Sequence, residues 1–295
     1  KMVKVPTTHF HVDKHVNLFY HVCVLFSEYF PDEYALGILN NQRYRQRHGH
    51  LRTWSLHREF ERLQQYSFYT WDFIGKSLSD SESLELVKER LETTSDVIID
   101  TWLKILAECL PSYNSIWLET EEKLVGYRRK FEKQWNRIYT SILTKMSNMT
   151  KFPWRIEAIN VYLVDCVWGA QSWVDDIVLP LIPIPDPDLD VAKKLLTHEI
   201  AHIQMPNNLL KAKLRSYGVD LGIAHTIVDL VAYFSVRDHF KDPERHGMKP
   251  NPNYYIEAQR LYPIFEYYSM NPEKYETFDE LLEHAAAAVK RPNEQ

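Results

Sequence analysis

Two histidines and a glutamate stand within five residues of one another in the segment 198–202 (HEIAH). Apolar residues surround them at helical spacing and Pro206 follows, so the pattern predicts a helix that ends near that proline. Residues four apart lie on one face of a helix, so His198 and His202 can direct their imidazoles at a single metal ion. Glu199 lies about 100° round the helix, beside the ion. From there it can take a proton from a water bound to the metal.

A second segment offers a third metal ligand. Residues 222–234 (GIAHTIVDLVAYF) form a predicted helix in which His225 and Asp229 are again four apart on one face. Twenty-two residues separate His202 from His225, which is room for one loop and a return to the metal. We favour His225 as the third ligand because imidazole suits zinc. The alternative is that Asp229 binds the metal and His225 only packs or hydrogen-bonds.

Together these two segments resemble the gluzincin branch of the zincin metallopeptidases, over residues 115–239. The resemblance implies that His198 and His202 bind zinc, that Glu199 is the general base, and that Asp229 holds a zinc-binding histidine. It places His225 where gluzincins have a glutamate. That departure keeps a competent zinc ligand and gives a three-histidine site with one open position for water.

A further donor is needed to stabilise the oxyanion that forms when a peptide carbonyl is attacked. Zincins place such a group downstream of the motif. Tyr233 and His239 are the candidates that we rank first for this role, among several tyrosines in the same region.

The elements that must position these residues are mostly helical. Periodic apolar residues predict helices over 13–30, from Ser79 or Ser81 to Pro111, and over 115–149. An alternating strand over 155–165 and a proline-containing edge strand over 176–184 follow, and then four more helices. We therefore predict an α+β fold, mainly helical, with a small sheet. The predicted domains are a helical amino-terminal region, 1–112, and a zincin-like metallopeptidase domain, 113–295.

Composition limits the classes of partner. The chain has 295 residues, a net charge of −5 and only 8 glycines, which disfavours a general polyanion binder and glycine-rich nucleotide loops. Its basic cluster, 43–52, is more typical of a solvated or paired face than of a nucleic-acid site. With no apolar run long enough to span a bilayer, no signal-peptide pattern and three widely spaced cysteines, we expect a cytoplasmic protein without nucleic-acid or membrane partners.

The sequence therefore predicts a zinc-dependent metallopeptidase that acts on a peptide or protein substrate. The alternative is a non-catalytic zincin-like domain that binds metal for structure and serves as a protein-interaction module. The intact Glu199 argues against that alternative, because a purely structural site has no use for a carboxylate beside an open coordination position.

Overall fold

The computed structural model describes residues 4–29, 44–63, 78, 96–165, 170–173, 175–180, 189–243, 247 and 252–290. Ser79 and Ser81, the alternative starts of one predicted helix, and Cys166 lie outside these residues. The chain divides into two compact units. Unit 1 comprises Lys1–Thr7, Lys133–Ile159 and Asp186–Gln295, and unit 2 comprises Thr8–Glu132 and Asn160–Pro185.

Helices make up most of the described chain and confirm the predicted mainly helical α+β fold. The α-helices are α1 (Lys14–Leu25), α2 (Trp54–Leu63), α3 (Asp96–Trp135), α4 (Tyr139–Thr150), α5 (Asp190–Gln204), α6 (Asn207–Ser216), α7 (Ile223–Val236), α8 (Tyr255–Met270) and α9 (Phe278–Lys290). Short 3-10 helices cover Ser27–Tyr29, Gly49–Leu51, Arg237–His239, Pro252–Tyr254 and Pro272–Lys274.

The prediction that a helix ends at Pro111 is wrong, because α3 continues through it to Trp135. Proline lacks the N–H that would bond back along the helix, which normally ends or kinks it. Here the buried stripe continues on both sides of the proline, with Leu106 and Tyr113 almost fully enclosed. Burial of that stripe outweighs the lost hydrogen bond. The break falls instead at residues 136–138, between α3 and α4.

A four-stranded sheet has the order β1-β2-β4-β3, with strands β1 (Thr7–His11), β2 (Ala158–Val164), β3 (Gln171–Trp173) and β4 (Asp176–Pro180). Strand β4 runs parallel to β2 and antiparallel to β3. The predicted edge position of 176–184 is therefore wrong for β4, because the short β3 pairs along its other side. Pro180 is the last residue of β4, where a missing amide donor is tolerated. Pro183 lies outside the described residues.

Each unit has its own apolar core. In unit 2, α1 is almost wholly buried and packs with Trp102 of α3. In unit 1, the central helix is α7, in which nearly every residue is buried. It packs against α4, α5 and α8. Cys23 and Cys109 are buried thiols. Within the described residues, no helix is both long and apolar enough to cross a membrane.

Candidate metal centre

Helix α5 begins in a buried ion pair. Leu189 precedes it in the left-handed conformation, with φ of 55°. The Asp190 carboxylate, fully buried, accepts a bond of 2.7 Å from Lys193 Nζ. Its second oxygen accepts the backbone N–H of Lys241 at 2.8 Å. Because Lys241 follows the carboxyl end of α7, this carboxylate ties the start of α5 to the chain that leaves α7.

The packing of α5 on α7 brings His198, His202 and His225 together. One nitrogen from each lies within 4.8 Å of the others, which makes a group that could hold a metal ion. The ring centroids are 4.7 Å apart for His198 and His202, 4.9 Å for His198 and His225, and 5.4 Å for His202 and His225. The site lies entirely in unit 1.

A single carboxylate, that of Asp229, accepts hydrogen bonds from two of the three imidazoles. Its Oδ1 lies 2.9 Å from Nδ1 of His198, and its Oδ2 lies 3.2 Å from Nδ1 of His225. Each bond turns the opposite ring nitrogen, Nε2, away from the carboxylate. In zinc sites, a carboxylate that binds the outer nitrogen of a histidine fixes its tautomer and orientation. Asp229 has that geometry towards two histidines at once.

The distance between His198 and His202 suits a zinc ion. Nε2 of His198 lies 3.1 Å from Nε2 of His202. Two nitrogens on a tetrahedral zinc are about 3.4 Å apart, given Zn–N bonds of about 2.0–2.1 Å. The imidazole of His225 is the most exposed of the three, with 57% of its side chain accessible.

The protonation states of His202 and Asp229 favour cation binding. Burial, with the charges of the neighbouring His198 and His225 acting in the same direction, lowers the pKa of His202 to about 3. Its imidazole is therefore neutral at neutral pH, as a metal ligand must be. Burial raises the pKa of Asp229, but hydrogen bonds from His198 and His225 outweigh it and hold the pKa below its ordinary value. The carboxylate is therefore ionised.

The pKa of His198 depends on the neighbouring carboxylates of Asp229 and Glu199. Burial lowers this pKa, but the hydrogen bond to Asp229 and the charges of Glu199 and Asp229 outweigh burial and raise it above the ordinary value. Glu199 is itself buried, with 7% of its surface exposed. It thus lies where its charge acts on the histidine group, while its role as general base stays a prediction.

The two predicted oxyanion donors lie against other groups. Tyr233 is eight residues beyond His225 on α7, about 12 Å along the helix axis. Its ring packs on Phe234 and Tyr262. Nε2 of His239 lies 3.3 Å from the hydroxyl of Ser141. The role of oxyanion donor stays a prediction for both residues.

Sequence reasoning missed two features of the centre. It gave Asp229 one histidine to hold, whereas the carboxylate contacts two. It did not find the buried pair that Asp190 forms with Lys193. The i, i+3 spacing of Asp190 and Lys193 was a signal for the pair, but burial of both side chains depends on the fold.

The basic cluster of unit 2 is largely paired with acidic side chains. Arg45 and Arg52 both contact Glu28, and Arg47 lies 2.6 Å from Glu119. These pairs match the prediction of a face that contacts the protein's own acidic residues.

Comparison with known proteins gives no match to a family model, to a curated protein or to a solved structure.

Proposed function

We propose that this protein is a zinc-dependent metallopeptidase, with zinc held by His198, His202 and His225. The observation that carries the proposal is the convergence of these three imidazoles from two helices, with a glutamate directly after the first of them. A bound zinc ion would polarise a peptide carbonyl and lower the pKa of a coordinated water.

Each protein group has a role that follows from its position. Asp229 orients His198 and His225 by accepting their Nδ1–H groups, so that both Nε2 atoms are available to the ion. Glu199, buried beside His198, accepts a proton from the attacking water and delivers it to the leaving amine.

The number of protein ligands supports catalysis over a structural role. A structural zinc site is normally closed by four protein ligands, whereas a catalytic site has three and an open position. Among the described residues, the group that could hold an ion comprises three histidines. His239, a conceivable fourth ligand, lies instead against Ser141.

The test is the change Glu199→Gln, which keeps the shape of the side chain and removes its ability to accept a proton. We expect the variant to bind zinc like the unchanged protein. We expect its turnover of a mixed peptide library to fall by about 10²–10⁴-fold, the range that general-base catalysis contributes. Bound zinc is measured by elemental analysis of protein purified without a histidine tag, and cleavage by mass spectrometry.

The matched control is Glu273→Gln, which removes an exposed carboxylate in the same unit. It should leave both zinc content and cleavage unchanged. Full cleavage by the Glu199→Gln variant would remove Glu199 from the role of base. An unchanged protein that binds zinc and cleaves no peptide in the library would contradict the peptidase proposal itself.

A further inference from the structure

An apolar cavity of about 200 Å³ lies at the carboxyl end of α5, within unit 1. Its walls come from the segment after α4, the end of α5, the start of α6 and the start of α9. The side chains that matter here are Phe152, Trp154, Ile203, Leu209, Leu210 and Phe278. The cavity is smaller than the roughly 300–1,000 Å³ of sites for drug-sized ligands. Its size therefore suits one side chain.

The same helix connects this cavity to the metal centre. Ile203, which lines the cavity, directly follows the ligand His202 and lies four residues after Glu199. Residues four apart share a helix face with Cβ atoms about 6 Å apart. One wall of the cavity therefore begins a single helical turn from the proposed general base.

The wall beside Ile203 is held in place by hydrogen bonds. Oε1 of Gln204 accepts from the hydroxyl of Thr150 at 3.1 Å, and Nε2 of Gln204 donates to the carbonyl of Phe152 at 3.3 Å. These bonds join the end of α5 to the segment that carries Trp154. The distance between the two walls is thereby set before any ligand binds.

The lining of the cavity is mainly apolar. Its charged residues are Arg155, which is exposed, and Lys213, which is paired with Asp279. The cavity thus matches an apolar group.

We propose that this cavity receives an apolar side chain of the substrate, one residue from the peptide bond that is cut. This inference rests on the proposed peptidase function and names its substrate class: peptides with a leucine-sized or larger apolar residue beside the cleavage site. An apolar side chain should bind in the cavity because its burial removes hydrocarbon surface from water.

Binding is tested apart from catalysis, on the zinc-loaded Glu199→Gln full chain. The probes are N-acetylleucinamide and N-acetylglycinamide, which share two carbonyls and differ in the apolar side chain. Ligand-observed NMR titration should show the leucine probe binding at least tenfold more tightly. The change Leu209→Asp places a charge at the exposed edge of the cavity, since Leu209 is 49% exposed, and should abolish that difference.

A matched control sharpens the result. Leu118→Asp changes a leucine that is 77% exposed in unit 2, and should leave both affinities unchanged. Equal affinity for the two probes, or an unchanged preference in the Leu209→Asp variant, would overturn the cavity as a binding site.

Cleavage profiling then separates the two proposals. The unchanged protein should cut a peptide library with an apolar preference at one position next to the bond, and Leu209→Asp should lose that preference. Selective probe binding without any cleavage would contradict the peptidase proposal and the substrate role, and would leave an apolar binding site. Cleavage without an apolar preference would overturn the substrate role alone.

Discussion

At the scale of residues, the candidate centre depends on how Asp229 shares its two oxygens. One oxygen bonds Nδ1 of His198 and the other bonds Nδ1 of His225. A carboxylate that is used in this way is poorly placed to be the third metal ligand. We therefore propose His225 as the ligand and Asp229 as the group that orients it, and the choice between the two stays a prediction.

The change Asp229→Asn tests this division of roles. The amide cannot accept both N–H groups, so we expect zinc affinity to fall by about 10–100-fold, the usual cost of losing such an orienting carboxylate. His225→Ala, which removes a ligand, should weaken zinc binding more. Competition titration with a zinc-sensitive chelator measures both affinities.

The control is Asp238→Asn, which changes a carboxylate just beyond α7 that pairs with Lys145. Its zinc affinity should equal that of the unchanged protein. If Asp229→Asn abolished zinc binding while His225→Ala retained it, Asp229 would be the ligand.

At the scale of elements, the site needs α5 and α7 at a constant separation. The buried Asp190 links them, because it pairs with Lys193 of α5 and accepts the amide of Lys241 beyond α7. A buried ion pair contributes little net free energy when intact, but removing one partner leaves an uncompensated buried charge. The main contribution of the intact pair is therefore to fix the position of α5 relative to the chain that follows α7.

The change Asp190→Asn should lower the free energy of unfolding by about 3–5 kcal/mol, the cost of breaking a buried pair. Urea unfolding followed by circular dichroism measures the loss. The matched control is Asp279→Asn, which breaks the exposed Lys213–Asp279 pair of the same unit. An exposed pair contributes at most about 1 kcal/mol, so equal losses in the two variants would show that Asp190 is not effectively buried.

Helix α1 of unit 2 buries a histidine that makes stability depend on pH. His21 is 1% exposed, and its Nδ1 lies 2.7 Å from the hydroxyl of Tyr44. Burial lowers the pKa of His21 to about 3, with the nearby His48 acting in the same direction. The unfolded chain binds a proton near pH 6.5 and the folded chain does not, so stability is lost as pH falls below about 6.5.

From pH 7 to pH 5, His21 should lower the free energy of unfolding by about 2 kcal/mol, since one pKa unit equals about 1.4 kcal/mol. The variant His21→Gln does not titrate in this range. Its free energy of unfolding should therefore fall by about 2 kcal/mol less than that of the unchanged protein. Urea unfolding at the two pH values compares them. Parallel declines in the two proteins would mean that His21 is protonated in the folded state.

At the scale of the whole molecule, the chain forms two compact units, and the candidate metal centre uses residues of unit 1 alone. Its candidate ligands come from two helices that pack on each other, and His202 and His225 are more than twenty residues apart in the chain. A ligand that binds only the folded state stabilises it by mass action. Zinc should therefore stabilise unit 1.

With zinc at 100 times its dissociation constant, the stabilisation should be about 2.7 kcal/mol. Hydrogen exchange measured by mass spectrometry should show slower exchange of the amides in α5 and α7 when zinc is added, and recovery of the original rates with a chelator. In the variant His202→Ala, the same addition of zinc should leave the exchange rates of these amides unchanged. Slowing in that variant would place the zinc elsewhere.

Particular residues show how far sequence reasoning extends. The sequence predicted α5 and α7 because their apolar residues recur at helical spacing, and it predicted which of their residues share a face. The predictions of a helix end at Pro111 and of an edge strand at Pro180 were wrong, because they considered only the local effect of proline on backbone hydrogen bonds. In the structure, a buried stripe carries α3 through Pro111, and β3 covers the side of β4 that was expected to be open.

The sequence by itself determined the types and spacing of the candidate ligands and the helices that carry them. Those properties are local, since a helix places residues four apart on one face whatever surrounds it. Only the tertiary structure decided that His225 meets His198 and His202, that Asp229 bonds two imidazoles, and that Asp190 is buried with Lys193. Each of these depends on how α5 packs against α7 and the chain that follows it, and contacts between segments distant in the chain leave no periodic trace in either segment.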